Sequence, residues 1–244
     1  MALDPASNIL ALVPARGGSK RIPRKNVINF HGKPMVAYPI DAALRAGIFG
    51  AVHVSSDDDE IRAIARARGA DPEPARPAEL SDDMTGILPV ARWVLQTLER
   101  QGRVFEHVFI LFPCAPMITA HDMRAAWDVY RAHGGAKNLL TIGRNPVPAE
   151  WLYAREPDGR LVPRTPGGAF SRSQDLAPAY YETGTFTIFS ARFLLDAANI
   201  ADDTNYVGYE LPAWKAVDID TPAELEHARA LYAVYAERLA AEDR

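Results

Sequence analysis

Residues that could do chemistry crowd a single stretch near the start of the chain, Pro14-Ala15-Arg16-Gly17-Gly18-Ser19-Lys20-Arg21-Ile22-Pro23-Arg24-Lys25-Asn26. It gathers five cations and two adjacent glycines in a protein whose 27 Lys and Arg are outnumbered by 31 Asp and Glu, for a formal net charge of -4. Glycine lets backbone N–H groups approach an anion closely, the arginine fork suits phosphate oxygens, and lysine adds a mobile point charge. A polyphosphate fits that chemistry. The G-x-x-x-x-G-K-[ST] and G-x-G-x-x-G orders are both absent, so neither a Walker loop nor a dinucleotide fingerprint explains the stretch. The bland alternative is a solvated basic turn.

A second constellation is Val217-Asp218-Ile219-Asp220-Thr221-Pro222. In extended backbone the two carboxylates point to the same side. Paired oxygens with no Cys or His beside them favour a hard ion, Mg2+ shared with substrate phosphates. Asp220-Thr221-Pro222 also reads as a helix N-terminus, so Asp220 has a capping alternative that Asp218 lacks. In Ser171-Arg172-Ser173-Gln174-Asp175-Leu176, Arg172 could pair with a carboxylate, or the segment is an exposed loop. Cys114, the one cysteine, has no neighbouring His and reads as a small buried residue rather than a nucleophile. Asp57-Asp58-Asp59-Glu60 reads as a solvated helix start.

The elements that must position these residues follow from the apolar pattern. Ile9 to Val13, ended by Pro14, is a buried strand, and the basic stretch begins where it stops. Helices are expected at Met35–Gly47, Asp58–Arg68, Thr85–Arg100, Ala120–Ala132 and Pro222–Leu239, and strands at Ala51–Ser55, Val108–Phe112 and Asn138–Ile142. Strand and helix alternate four times, the order of a doubly wound α/β fold with a mostly parallel sheet. From 143 to 182 the rhythm breaks into a Pro-, Gly- and Arg-rich excursion with short extended pieces near Trp151–Arg155 and Leu161–Arg164. The pattern resumes at Gly184–Phe189 and passes through Ala216–Ile219.

With 244 residues, 48% hydrophobic and 24% charged, the chain reads as one domain over 1–244 with 143–182 inserted, and can bury roughly 70–75% of its unfolded surface. The acidic balance excludes a basic nucleic-acid coat. No apolar run approaches the ~18–20 residues of a membrane span, and the opening MALDPAS lacks the order of a secretory signal, so a cytoplasmic protein is expected. One cysteine cannot form an internal disulfide, and no Cys or His pair stands at zinc-ligand spacing.

Taken together, Pro14 to Asn26, Ser55-Ser56-Asp57-Asp58, Arg76-Pro77-Ala78-Glu79-Leu80-Ser81-Asp82-Asp83, Pro113-Cys114-Ala115-Pro116 and Asp218-Ile219-Asp220-Thr221-Pro222 resemble, in order, the motifs of the cytidylyltransferases that activate nonulosonic acids, the sialic acid-like sugars. Arg172 to Leu176 followed by Pro178-Ala179-Tyr180 is similar to the pseudaminic acid branch rather than the N-acetylneuraminate branch. The resemblance implies a Rossmann-like nucleotidyltransferase fold and a homodimer whose arm closes the partner's site. It also implies the reaction of CTP with a sugar acid to give CMP-sugar and pyrophosphate, with Mg2+. By motif it places Ala15, Arg16, Gly17, Gly18, Ser19, Lys20, Lys25, Asn26, Arg76, Asp83 and Thr85 around the nucleotide, and Asp218 and Asp220 on the metal. It puts Phe112, Arg172, Gln174, Tyr181 and Glu182 at the sugar acid, and makes Arg16, Lys25 and the two aspartates the catalytic set. Two departures bear on which acid. Phe112 stands where N-acetylneuraminate enzymes carry Gln, an apolar wall that suits a deoxy, diacylamino sugar. Tyr181-Glu182-Thr183-Gly184-Thr185-Phe186 stands where the pseudaminic branch has His-Asp-Ala-Gly-Gln-Phe. Legionaminic, N-acetylneuraminic and Kdo acids are alternative substrates, Kdo being disfavoured by the Lys25-Asn26 pair. A non-catalytic nucleotide-binding protein is the alternative from another class.

Overall fold

A computed structural model describes residues 3–4, 6–196 and 204–243. Its centre is a six-stranded sheet built from β1 (Ile9–Pro14), β2 (Ala51–Ser55), β3 (His107–Leu111), β4 (Asn138–Arg144), β5 (Tyr180–Ser190) and β6 (Tyr206–Leu211), in the spatial order β6-β4-β5-β3-β1-β2. Only β5 runs antiparallel to its neighbours. The helices are α1 (Ala37–Ala46), α2 (Asp59–Ala67), α3 (Ile87–Arg100), α4 (Ala120–Ala132), the short α5 (Ala191–Leu195) and α6 (Pro222–Glu242).

Strand alternation sorts the core. Ile9, Ala11 and Val13 pack with Ile40, Ile61, Met123 and Ala126 from α1, α2 and α4, whereas Leu10 and Leu12 point to the opposite face, against Val94 and Leu98 of α3 and Leu194 of α5. Strands covered on both sides read as continuous apolar runs, which is why β1 to β3 are plain in the sequence. A third cluster joins Phe30, Met35 and Tyr38 to Ile219, Leu225 and Ala228, seating α6.

Several sequence expectations shift. Ala216–Ile219 forms no strand; Ile219 and Val217 pack into the α6 cluster, and the remaining ladder position is taken by β6, which pairs with β4. The strand expected at Gly184–Phe189 is longer, Tyr180–Ser190. The excursion narrows to 145–179, carrying a hairpin of Tyr153–Arg155 and Leu161–Pro163. The irregular stretch before α6 is anchored by Lys215, whose buried ammonium donates to Asp122 Oδ2 at 2.6 Å and to Glu242. It thereby joins the capping box of α4 to the last turn of α6. No helix among the described residues is long and apolar enough to cross a membrane.

On β2, His53 is fully buried with both ring nitrogens lacking a hydrogen-bond partner. Burial pushes its pKa down to about 4, with Asp71 opposing and the Arg103 and Arg76 charges reinforcing the shift. The folded protein therefore holds His53 neutral while the unfolded chain takes a proton below the ordinary histidine value. Stability carried by this residue is complete above about pH 6.5 and is lost as pH falls toward about 4. Urea unfolding between pH 4 and 7 should show this slope in the native sequence and a shallower one in His53→Leu; equal slopes would contradict the assignment.

Candidate active site

β1 and β3 lie side by side and parallel, yet the helix that follows β1 packs on one face of the sheet and the helix that leads into β3 packs on the other. The helices that follow the two strands, α1 and α4, both pack on that first face, and at the carboxyl end of the sheet a crevice opens between their approaches and the first turn of α3 on the other face, the usual ligand position in such sheets. A cleft of about 550 Å3 lies there. Arg16, Ser19, Lys20, Arg21, Lys25 and Asn26 line it from the basic loop. Asp83, Thr85, Gly86, Ile87 and Val90 come from the approach to α3, with Arg76, Phe112, Pro113, Cys114, Gly184, Asp218 and Asp220 completing it.

The loop is held by carboxylates from other segments of the chain. Arg16 donates from Nη1 to Asp83 Oδ1 at 2.7 Å and to the Asp82 carbonyl at 2.8 Å, and Lys20 also pairs with Asp83. Arg21 meets Asp220 Oδ2 at 2.7 Å, and Lys25 Nζ donates to Asp220 Oδ1 at 3.0 Å and to the Ile219 carbonyl. Arg24 turns away from the cleft to pair with Asp58 and Glu60, with its backbone in the left-handed region at φ 58°. Asp58 also caps α2, accepting from Ile61 N at 3.1 Å, and Asp57 accepts from Gly17 N at 2.9 Å. The acidic run is the start of α2, as expected, with Asp59 exposed to solvent, while Asp57, Asp58 and Glu60 in addition support the basic loop. Gly17 has to be glycine, since a Cβ there would sit 2.8 Å from Asp58 Oδ2.

Asn26 is buried, donates to the Arg16 carbonyl at 2.8 Å and accepts from Cys114 Sγ at 3.2 Å. Burial pushes the Cys114 thiol up to about 12, so it is a packed neighbour of Asn26 and not a thiolate nucleophile. Arg76, 6% exposed, donates from Nε to Ser55 Oγ at 3.1 Å and from Nη2 to the Ser55 carbonyl. Burial draws its pKa down to about 10, which still leaves it charged near neutrality.

Asp218 and Asp220 behave differently. Asp218 makes no salt bridge among the described residues; desolvation, then the Asp220 charge, raise its carboxyl above the usual range, with Lys25 acting against them. Burial also pushes Asp220 up, but the hydrogen bond and charge of Lys25 and the charge of Arg21 outweigh it and hold it low. Desolvation and Asp218 raise Glu182 in turn. The capping alternative for Asp220 falls away, because Thr221 caps α6 in a reciprocal box with Glu224. Two neighbouring carboxylates, of which Asp218 lacks a cationic partner among the described residues, offer the hard oxygen donors that a divalent cation takes. Among the described residues no group of three or more His, Cys, Asp and Glu is placed to hold a metal, so the protein's share of such a site is two carboxylates, the remaining donors coming from phosphate or water.

Some expected residues lie elsewhere. Ala15 is fully buried, donating its N–H to the Ser55 carbonyl at 2.9 Å, and Gly17 and Gly18 stand behind the cleft lining. Arg172 is exposed on the arm and bonded to Asp175 at 2.8 Å; neither it nor Gln174 reaches this cleft within one chain. Tyr181 donates to the Ala216 carbonyl at 3.4 Å, outside the lining, as is Glu182. Sequence reading missed Arg21 as a partner of Asp220, although it lies in the basic stretch, and Gly184, whose role depends on tertiary approach.

A family model described as Cytidylyltransferase matches residues 10–104. The pseudaminic acid cytidylyltransferase of Campylobacter jejuni is 34% identical over 225 residues, covering 92% of this chain and 96% of that protein. The CMP-N,N'-diacetyllegionaminic acid synthase of Legionella pneumophila is 26% identical, covering 88% and 92%. Among solved structures, CMP:2-keto-3-deoxy-manno-octonic acid synthetase complexed with CTP superposes with a TM-score of 0.70 at 20% identity, covering 93% of this chain and 99% of that chain, a likeness of fold.

Proposed function

Because the chain belongs to the cytidylyltransferase family, we propose that it transfers CMP from CTP to the anomeric hydroxyl of a nonulosonic acid, with pseudaminic acid as the acceptor. The observation that carries this reading is a basic loop facing the paired carboxylates Asp218 and Asp220 across one cleft at the crevice between β1 and β3. The anomeric oxygen attacks the α-phosphorus in line, the bond to the bridging oxygen breaks, pyrophosphate departs and the hydroxyl proton is released. Charge grows on phosphate oxygens and on the leaving group, so catalysis rests on orientation and on cations already in place.

Arg16 and Lys20 are placed to exchange Asp83 for phosphate oxygens, and Lys25, between loop and carboxylates, to follow the charge as it moves. Asp218 and Asp220 would hold Mg2+, which when bound supplies Lewis-acid neutralisation of the phosphates. Phe112 offers an apolar wall where a hydroxyl-rich acid would strand a polar group, which favours a deoxy acceptor. A cytoplasmic setting goes with the use of CTP as the nucleotide donor.

The arm supports a homodimer. Phe170 is 93% exposed and Leu161 57%, on the same arm as Arg172 and Gln174, which do not line the cleft of their own chain. A partner's cleft would receive them. Light scattering at micromolar concentration should give twice the chain mass; a monomer removes this part of the proposal.

Pyrophosphate release from CTP and Mg2+, run in parallel with pseudaminic, legionaminic, N-acetylneuraminic and Kdo acids, tests the whole. Release with pseudaminic acid is expected; release with another acid alone reassigns the acceptor, and no release with any acid overturns the reaction. Lys25→Ala should lower kcat by about 100-fold with little change in the KM for the acid, since Lys25 acts on the transferred phosphate. An unchanged kcat would contradict its role.

A further inference from the structure

β5 keeps one register with β3 along its length, from His107 opposite Ser190 to Leu111 opposite Phe186, and the Phe112 N–H continues it by donating to the Thr185 carbonyl at 2.9 Å. Against β4 the register breaks. Leu140 faces Thr187, but Ile142 faces Glu182, so Thr141 alone stands opposite the four residues Thr183 to Phe186. Such a bulge leaves ladder groups unpaired, and bulges re-aim side chains beside active sites.

Here side chains satisfy those groups. Thr141 Oγ1 donates to the Phe186 carbonyl at 2.7 Å and receives the Phe186 N–H at 3.3 Å. Thr183 Oγ1 donates to the Thr141 carbonyl at 3.1 Å and lies 2.8 Å from Thr141 Oγ1. Thr185 Oγ1 lies 2.7 Å from Thr141 Oγ1 and 2.9 Å from Thr183 Oγ1. All three residues are at most 1% exposed. The Thr141 and Thr183 hydroxyls each bond a backbone group at the bulge, and the Thr185 hydroxyl links the two, so removing Thr141 or Thr183 Oγ1 takes a hydrogen bond from a buried backbone group.

The crest of the bulge is Gly184, at φ 61°. A Cβ there would stand 3.2 Å from Asp218 Cγ and 3.2 Å from Asp218 Oδ2, so the backbone of β5 is the surface on which that carboxylate rests. Glu182 leads into the bulge, and Phe112 is bonded to its far end.

We infer that Thr141, Thr183 and Thr185 form a positioning device for the acceptor half of the site, holding the bulge that fixes Asp218 through Gly184 and Phe112 through the Thr185 carbonyl. The hydroxyls themselves touch no substrate. The basic loop lies on other elements and does not depend on them. The inference rests on the cytidylyltransferase reading for the roles of Asp218 and Phe112.

The test compares the native sequence with Thr183→Val, Thr183→Ser and Gly184→Ala. Three readouts are taken: CTP binding without metal by calorimetry, Mn2+ binding in the CTP complex by electron paramagnetic resonance, and the KM for the acid. Thr183→Val and Gly184→Ala should weaken Mn2+ binding and raise the acid KM at least fivefold while leaving metal-free CTP affinity within twofold, and Thr183→Ser should recover native values. Gly184→Ala keeps every hydroxyl and marks what a displaced Asp218 costs; if Thr183→Val does not fold, Thr185→Val, which leaves the bonds of Thr141 Oγ1 to Phe186 in place, is measured against it with the same expected losses. Native Mn2+ and acid constants in the folded variants overturn the inference. So does an equal loss of metal-free CTP binding, or a Thr183→Ser variant as impaired as the valine. If the native protein neither binds CTP with Mn2+ nor releases pyrophosphate, the reading of the reaction has failed, a result distinguishable from a native enzyme indifferent to Thr183→Val.

Discussion

Two neighbouring strands whose covering helices lie on opposite faces of the sheet are the constraint from which the site follows. β1 and β3 share a ladder, so their carboxyl ends cannot separate, while α1 and α4, which follow them, cover one face and α3, whose first turn lines the cleft, covers the other. The gap cannot be closed without unpacking one face of the core. Into it the chain delivers residues from six segments, Pro14 to Asn26, Arg76, Asp83 to Val90, Phe112 to Cys114, Gly184, and Asp218 with Asp220. Apolar burial fixes the strands, and polar groups are then arranged around a space that packing has left.

Keeping many charges in that space requires counter-charges of equal rigidity. Asp57 holds the glycine end of the loop, Asp58 holds Arg24, Asp83 holds Arg16 and Lys20, and Asp220 holds Arg21 and Lys25. On the far side, the buried Lys215 does for the aspartate segment what these acids do for the basic loop. Its ammonium, 1% exposed, is compensated by Asp122 and Glu242, which sit on α4 and α6. A buried ion pair contributes little net stability once desolvation is subtracted. Its effect here is geometric, since the segment leading to Asp218 is tied to two helix ends at once.

The legible parts of this protein are those whose signal is local. Ile9 to Val13 announces a strand because both its faces are buried, and Thr221-Pro222 with Glu224 announces a helix start because capping needs only neighbours in sequence. The basic stretch and the paired aspartates were visible for the same reason, as unusual residue types at close spacing. What escaped the sequence is what depends on contacts across the chain. Tyr206–Leu211 has Gly208 and Glu210 in a half-exposed strand at the sheet edge, a pattern too weak to name it. Ala216–Ile219 looks apolar enough for a strand, but its neighbours in space are α6 side chains. Gly184 carries no mark in the sequence of its approach to Asp218, and the acidic run from Asp57 to Glu60 gives no hint of which arginine it will meet.

The ion pairs of the basic loop also decide how far its charge can be felt. Arg16 and Lys20 share Asp83, and Arg21 and Lys25 share Asp220, so four cations meet two carboxylates and the loop keeps an excess of positive charge. That excess sits in a protein of formal net charge -4, a local positive patch in an acidic surround. Its attraction for an anion reaches about a Debye length and weakens as salt is added, so encounter with an anion slows as ionic strength rises.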